Sequence, residues 1–205
     1  MKTKNGLTKI VIAGEGGQGV QAVAEILAEA AYEEGRQALY IPNFGVEQRG
    51  GVSVAFLQIG DRSIGAPKFE TADIVVALSG RALLRTRQYV GPQTTLIYDD
   101  LAEVKDEEMP RQAAQILSIP AVETSKKELH PRVFNVMILG AVIAATGVVT
   151  LDDAKKALEI RLGHKFEQDP KLRELNYRAL ERGVELLEQV MRGGKEHSGA
   201  LRAYH

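Results

Sequence analysis

The stretch KIVIAGEGGQGVQAV at 9–23 constrains this chain more than any other. Residues 9–13 read as a buried strand, and from Gly19 the apolar positions Val20, Val23, Leu27 and Ala31 recur at helical spacing until Gly35 stops them. Between the two, Gly14, Gly16 and Gly19 satisfy G-x-G-x-x-G in the strand-then-helix context which that pattern needs. The first glycine permits a tight turn, the second lets a phosphate approach the backbone, and the third lets helix and strand pack closely. Gly17 opens the loop further, and free amides at the helix N-terminus favour an anion. The same glycines also serve close backbone packing with no ligand at all, within the domain or against another subunit, and the two readings carry equal weight. Gln18 either donates its amide to a ligand or caps the turn.

A nicotinamide-binding version of this turn places Asp or Glu about 20 residues on, at the end of the second strand, to hold the ribose hydroxyls. Here the second strand, QALYI at 37–41, ends in Pro42 and Asn43, and Glu47 lies several residues into the next loop. Glu15 inside the turn adds negative charge where a pyrophosphate wants none. The turn is therefore without its usual acidic companion, which argues against a dinucleotide.

Beyond the polar, glycine-bearing loop at 42–51, VSVAFLQI at 52–59 is a β-branched strand ending in a GDR turn. DIVVAL at 73–78 and TTLIYD at 94–99 are two more strands, with a helix-compatible segment at 80–89 between them. From Pro131 to Gly147 the pattern is helical and apolar all round its middle, so it needs burial on most sides by this domain or by a partner. Thr150 with Asp153 makes a capping-box-like start to a further helix, and Asp169–Pro170 starts another that runs to a stop at Gly193. Strands alternating with helices predict an α/β fold: a Rossmann-like, mostly parallel sheet with helices on both faces and a helical C-terminal part. One domain is expected over 1–192, with a mobile tail at 193–205.

Composition narrows the chemistry. There is no cysteine among the 205 residues, so no thiolate metal site, iron–sulfur cluster or cysteine nucleophile can come from this chain. A formal charge of −1 gives no electrostatic reason to expect nucleic acid or an anionic membrane. The longest apolar run, 136–145, is too short for a membrane span and the N-terminal lysines precede no signal core, so a cytoplasmic setting is the expectation.

Four stretches together resemble the γ subunit or domain of the 2-oxoacid:ferredoxin oxidoreductases, the pyruvate and ketoacid ferredoxin oxidoreductase family: GEGGQGV at 14–20, FGVEQRGGVSVAFLQI at 44–59, ADIVVAL at 72–78 and NVMILGA at 135–141. The resemblance spans roughly 9–190, and the loop Gly-x-Glu-x-Arg-Gly-Gly at 45–51 is its most specific part. It implies a subunit of a complex that oxidatively decarboxylates a 2-oxoacid, transfers the acyl group to coenzyme A and passes electrons to ferredoxin. It also implies α, β and ferredoxin-like δ partners, with thiamine diphosphate between α and β and the clusters on the β and ferredoxin-like chains. The isolated chain is then not catalytic.

On that reading the cofactor-contacting candidates are Gly14, Gly16, Gly17, Gln18, Gly19, Arg49, Gly50 and Gly51, with coenzyme A as the ligand. Arg49 could clamp a carboxylate or phosphate with its planar fork, or pair with Glu47, Glu15 or a partner subunit. Asp99 and Asp100 read as turn and helix-start residues, the four histidines as surface or capping residues, and Arg81, Arg85 and Arg87 as a modest, solvated basic patch. No catalytic residue and no metal ligand is assigned. The rival function is a stand-alone nucleotide-binding module or small NAD(P)-dependent dehydrogenase that uses the glycine turn directly. Pyruvate, 2-oxoglutarate, branched-chain oxoacids and indolepyruvate all remain open as the 2-oxoacid.

Overall fold

The computed structural model describes residues 6–44 and 51–201, with side chains through residue 193. Six strands form one sheet: β1 (Leu7–Glu15), β2 (Gln37–Asn43), β3 (Val52–Gly60), β4 (Ile74–Ala77), β5 (Thr95–Asp99) and β6 (Gln115–Ile119), in the order β2-β3-β1-β4-β5-β6. β1, β4, β5 and β6 pair in parallel, while β3 is antiparallel to both β1 and β2. The return from Asn43 to Val52 is too short for a crossover helix, so β3 has to run back against β2. Every other strand points the same way, as the mostly parallel expectation requires.

The alternation of side chains along β1 divides the core. Ile10 and Ile12 join one cluster with Val23 and Leu27 of α1 (Val20–Glu33) and with α4 (Phe134–Thr146), α5 (Leu151–Gln168) and α6 (Pro170–Leu201). Val11 and Ala13 point to the other face, where Ala82 and Leu83 of α2 (Gly80–Thr86) cover them beside a triangle of edge-on rings, Phe56, Phe69 and Tyr89. Helices thus lie on both faces of the sheet, with the heavier layer on the α1 side.

The all-round apolar helix α4 is buried within this chain, largely against α6. The two helices cross backbone on backbone. A Cβ added to Gly140 would lie 2.0 Å from the carbonyl oxygen of Leu180, and one added to Gly183 would lie 1.9 Å from that of Met137. Neither glycine has a positive φ, so what these positions require is the absence of a side chain. α4 begins after a 3-10 turn at Pro131–Val133, whose N-cap His130 accepts the Arg132 amide at 3.1 Å through Nδ1, and it ends at Gly147. Thr150 caps α5 by accepting the Asp153 amide at 3.2 Å.

Two elements lie outside the sequence reading, β6 and α3 (Ala121–Glu128). QILSI is short and keeps Ile116 exposed, and AVETSKKE has β-branched and hydroxyl residues that are poor helix formers. Both are set by tertiary contacts. The stop expected at Gly193 is also corrected: the backbone helix continues to Leu201, because a glycine inside a helix costs about 1 kcal/mol but removes no hydrogen bond, and Gly193 makes no left-handed bend.

Candidate functional site

The carboxyl ends of β1 and β4 are where the chain departs to opposite faces, from β1 into α1 and from β4 into α2, and open α/β sheets bind ligands outside such a switch point. A cleft of about 400 Å³ opens here, lined by Glu15, Gln18, Ser79, Arg81, Asp99 and Glu103 among others. The loop after β5 folds onto the start of α2, so closely that a Cβ on Gly80 would meet the Glu103 carbonyl oxygen at 2.2 Å. Ser79 caps α2 by accepting the Ala82 amide at 3.2 Å.

The glycines of the turn divide by role. Gly14 is buried in β1, and a Cβ there would come within 2.6 Å of Gln18 Oε1 and 2.9 Å of Val20 Cγ2. Gly19, the N-cap of α1, has φ 72° and lies against Asn135, whose Cβ would be 2.7 Å from an added Cβ. Gly16 and Gly17 are exposed, and Gly17, at φ 93°, has nothing within 4 Å of its missing side chain. No side chain caps α1, which leaves the amides of its first turn without a side-chain partner from the N-cap.

Gln18 closes the turn. Its Oε1 accepts the Glu15 amide at 2.6 Å and its Nε2 donates to the Leu78 carbonyl at 3.1 Å, tying the end of β1 to the end of β4. These two bonds are the capping role, and Gln18 also lines the cleft. The Glu15 carboxylate lies 4.0 Å from Arg81 Nη1, which offsets its charge at the mouth of the turn. Arg85 and Arg87 are exposed on the outer side of α2 and its 3-10 extension.

The slot for a ribose-binding carboxylate is filled differently here. The neighbour of β1 on that side is β3, which starts rather than ends at this edge, and the end of β2 lies one strand further out. Among the described residues this reversed strand leaves the turn without an acidic companion at the end of a neighbouring strand on that side. Asp99, in contrast, is an inward carboxylate at the end of β5, only 1% exposed. It accepts the Leu101 amide at 3.0 Å and the Val122 amide of α3 at 2.8 Å, so it organises a turn and a helix start as its sequence position suggests. Burial pushes its carboxyl above the ordinary range, and the two amides pull against that shift.

Arg49 and Gly50, with Glu47, lie outside the described residues. Gly51 immediately precedes β3, and Val52 pairs with Glu15, so Gly51 stands at the same edge as the turn. The structure therefore draws parts of all four family-like stretches together: Gly19 against Asn135, Gln18 on Leu78, and Gln21 of α1 on Ser53 at 2.6 Å. Gln21 and Asn135 are the site residues that pattern reading passed over. Gln21 directly follows the turn and Asn135 opens NVMILGA, but nothing local signals their contacts. Among the described residues no three His, Cys, Asp or Glu side chains stand together as a metal site, and no helix is long and apolar enough to cross a membrane.

Comparison with known proteins places the chain in a family. Residues 9–186 match the family described as pyruvate ferredoxin/flavodoxin oxidoreductase. The ketoisovalerate oxidoreductase subunit VorA of Methanothermobacter thermautotrophicus is 32% identical over 185 residues, 90% of this chain but 37% of VorA, so the chain spans little more than a third of that relative. The γ subunit of a keto/oxoacid ferredoxin oxidoreductase from Geobacter sulfurreducens superposes with a TM-score of 0.68 at 28% identity, covering 89% of this chain and 99% of that one. A 2-oxoglutarate:ferredoxin oxidoreductase from Magnetococcus marinus, solved with 2-oxoglutarate, coenzyme A and succinyl-CoA bound, shares the fold with a TM-score of 0.81 at 23% identity, over 91% of this chain and 32% of its own. With 9–186 matched and the fold shared with a γ subunit, the chain belongs to the pyruvate ferredoxin/flavodoxin oxidoreductase family.

Proposed function

We propose that the chain is the γ subunit of a cytoplasmic 2-oxoacid:ferredoxin oxidoreductase, acting with α, β and ferredoxin-like δ partners, and that its β1–α1 edge touches coenzyme A. The observation that carries this is the meeting of family-like stretches at one edge, around a turn whose outer glycines are bare. The edge fits a phosphate. Gly16 and Gly17 are exposed, the first-turn amides of α1 have no side-chain cap, and Arg81 offsets Glu15. Coenzyme A, when bound, supplies the thiol that accepts the acyl group.

The residues present do not fit the iron–sulfur clusters of the reaction, because without cysteine the chain has no thiolate to hold one. Thiamine diphosphate and the clusters belong on the partners, and the chain's part is assembly and ligand contact.

The test is reconstitution. Ferredoxin reduction by a 2-oxoacid and coenzyme A should require this chain together with its thiamine- and cluster-binding partners. Turnover by the purified chain alone would overturn the assignment, as would full coenzyme A-dependent activity of the partners without it.

A further inference from the structure

Gln21 is the second residue of α1, and its side chain joins three elements. Nε2 donates to Ser53 Oγ at 2.6 Å and to the Val54 carbonyl at 3.1 Å, both in the first residues of β3. Oε1 accepts the Tyr40 hydroxyl of β2 at 2.5 Å. Because the Val54 carbonyl can only accept, the nitrogen of the amide must face β3, and Tyr40 must then be the donor on the other side.

Tyr40 is suited to that role. Burial first, and then the charge and hydrogen bond of Glu25, push its hydroxyl up to about 12, so it keeps its proton throughout the physiological range. Glu25 Oε1 is 3.5 Å from the hydroxyl, a poorer acceptor position than Gln21 offers, and Glu25 is itself held by Arg161 of α5. Both atoms of the Gln21 amide are thus committed, to β2 and to β3.

Such a linkage adds direction to what packing provides. Val20, Val23 and Ala24 turn one face of α1 to the sheet and Gly19 packs on Asn135, but those contacts are non-directional and fix the first turn less sharply than hydrogen bonds do. Ladder bonds register β3 on β1, with Val52 opposite Glu15, yet α1 lies outside that ladder. Directional bonds from Gln21 tie the start of α1, and with it the outer face of the glycine turn, directly to the strand that begins at Val52.

We propose that Gln21 is a positioning residue for coenzyme A, holding the glycine turn at a fixed distance from the Gly51–Val54 strand start so that both meet the same ligand. The proposal rests on the reading of this edge as a coenzyme A contact. Ser53, Gln21 and Tyr40 are all half-buried, so water can replace the lost bonds, and the cost of removing Gln21 falls on geometry more than on stability.

The experiment uses the assembled complex. Gln21→Ala should raise KM for coenzyme A by about tenfold, since a misplaced site can lose up to about a hundredfold. KM for the 2-oxoacid and kcat at saturating coenzyme A should stay within about twofold, a split that a general folding defect would not produce. Tyr40→Phe, which releases the amide and the weaker contact with Glu25, should raise KM for coenzyme A by about threefold. Gly17→Asp against Gly17→Asn tests the underlying reading separately, because the two differ in charge and not in shape. If Gly17→Asp weakens coenzyme A relative to Gly17→Asn while Gln21→Ala changes nothing, the edge is a ligand contact and Gln21 does not position it. Should neither Gly17→Asp nor Gln21→Ala move KM for coenzyme A, the edge is not a ligand contact and the role of Gln21 falls with it. Equal losses in both KM values also reject positioning, and if Gln21→Ala fails to assemble, Tyr40→Phe decides by the same split.

Discussion

The glycine turn after β1 and the crossing of α4 on α6 are both built on glycine, for different physical reasons. In the turn, Gly17 and Gly19 hold positive φ, and Gly17 has open space where a side chain would be. At the crossing, Gly140 and Gly183 keep ordinary helical backbones but leave no room, each lying under a carbonyl of the opposite helix. At its tip the turn uses Gly17 for conformation and exposes it. The crossing uses glycine for approach and buries it. An exposed glycine in an unusual conformation leaves room for a ligand, whereas a buried one only joins the scaffold, so one residue type serves two physical ends.

Substitutions by alanine probe that distinction directly. Gly183→Ala should be the most damaging, since its Cβ falls 1.9 Å from a backbone oxygen that cannot rotate away. The helices would have to separate, at a cost of about 3 kcal/mol or more, read as a fall in the urea midpoint. Gly19→Ala combines both penalties, a positive φ and a contact with Asn135, but that neighbour is a side chain that can yield. About 2 kcal/mol is expected in the same measurement. Gly17→Ala carries the conformational penalty alone and should cost about 1 kcal/mol. If Gly17→Ala proved as destabilising as Gly183→Ala, the contrast between the two regions would collapse.

The same contrast explains what pattern reading recovers. Strand β1, the turn and α1 are local in sequence, so alternation, glycine spacing and helical periodicity locate all three, and β3, β4 and β5 follow from their β-branched runs. Gly140 and Gly183 look alike to any local rule and are 43 residues apart, so their meeting is invisible until α6 folds back. Helix α3 is similarly hidden. Its first turn is held by Asp99, a residue from the far end of β5, and its own sequence has little helical preference. At the site, the glycines and Gln18 are legible because the turn is a contiguous motif. Gln21 and Asn135 are not, because their partners Tyr40, Ser53 and Gly19 come from other elements. The absent ribose carboxylate is readable as a gap in the sequence, but the reversed strand beside β1 that accompanies it is a matter of topology.

The seam between α4 and α6 also bears on synthesis. Ribosomes deliver α4 well before the helix that covers its outer side, so the growing polypeptide must carry that greasy side uncovered until Leu187 has emerged. Premature termination anywhere in that interval would release a chain with a complete sheet and an adhesive flank, a natural client for chaperones.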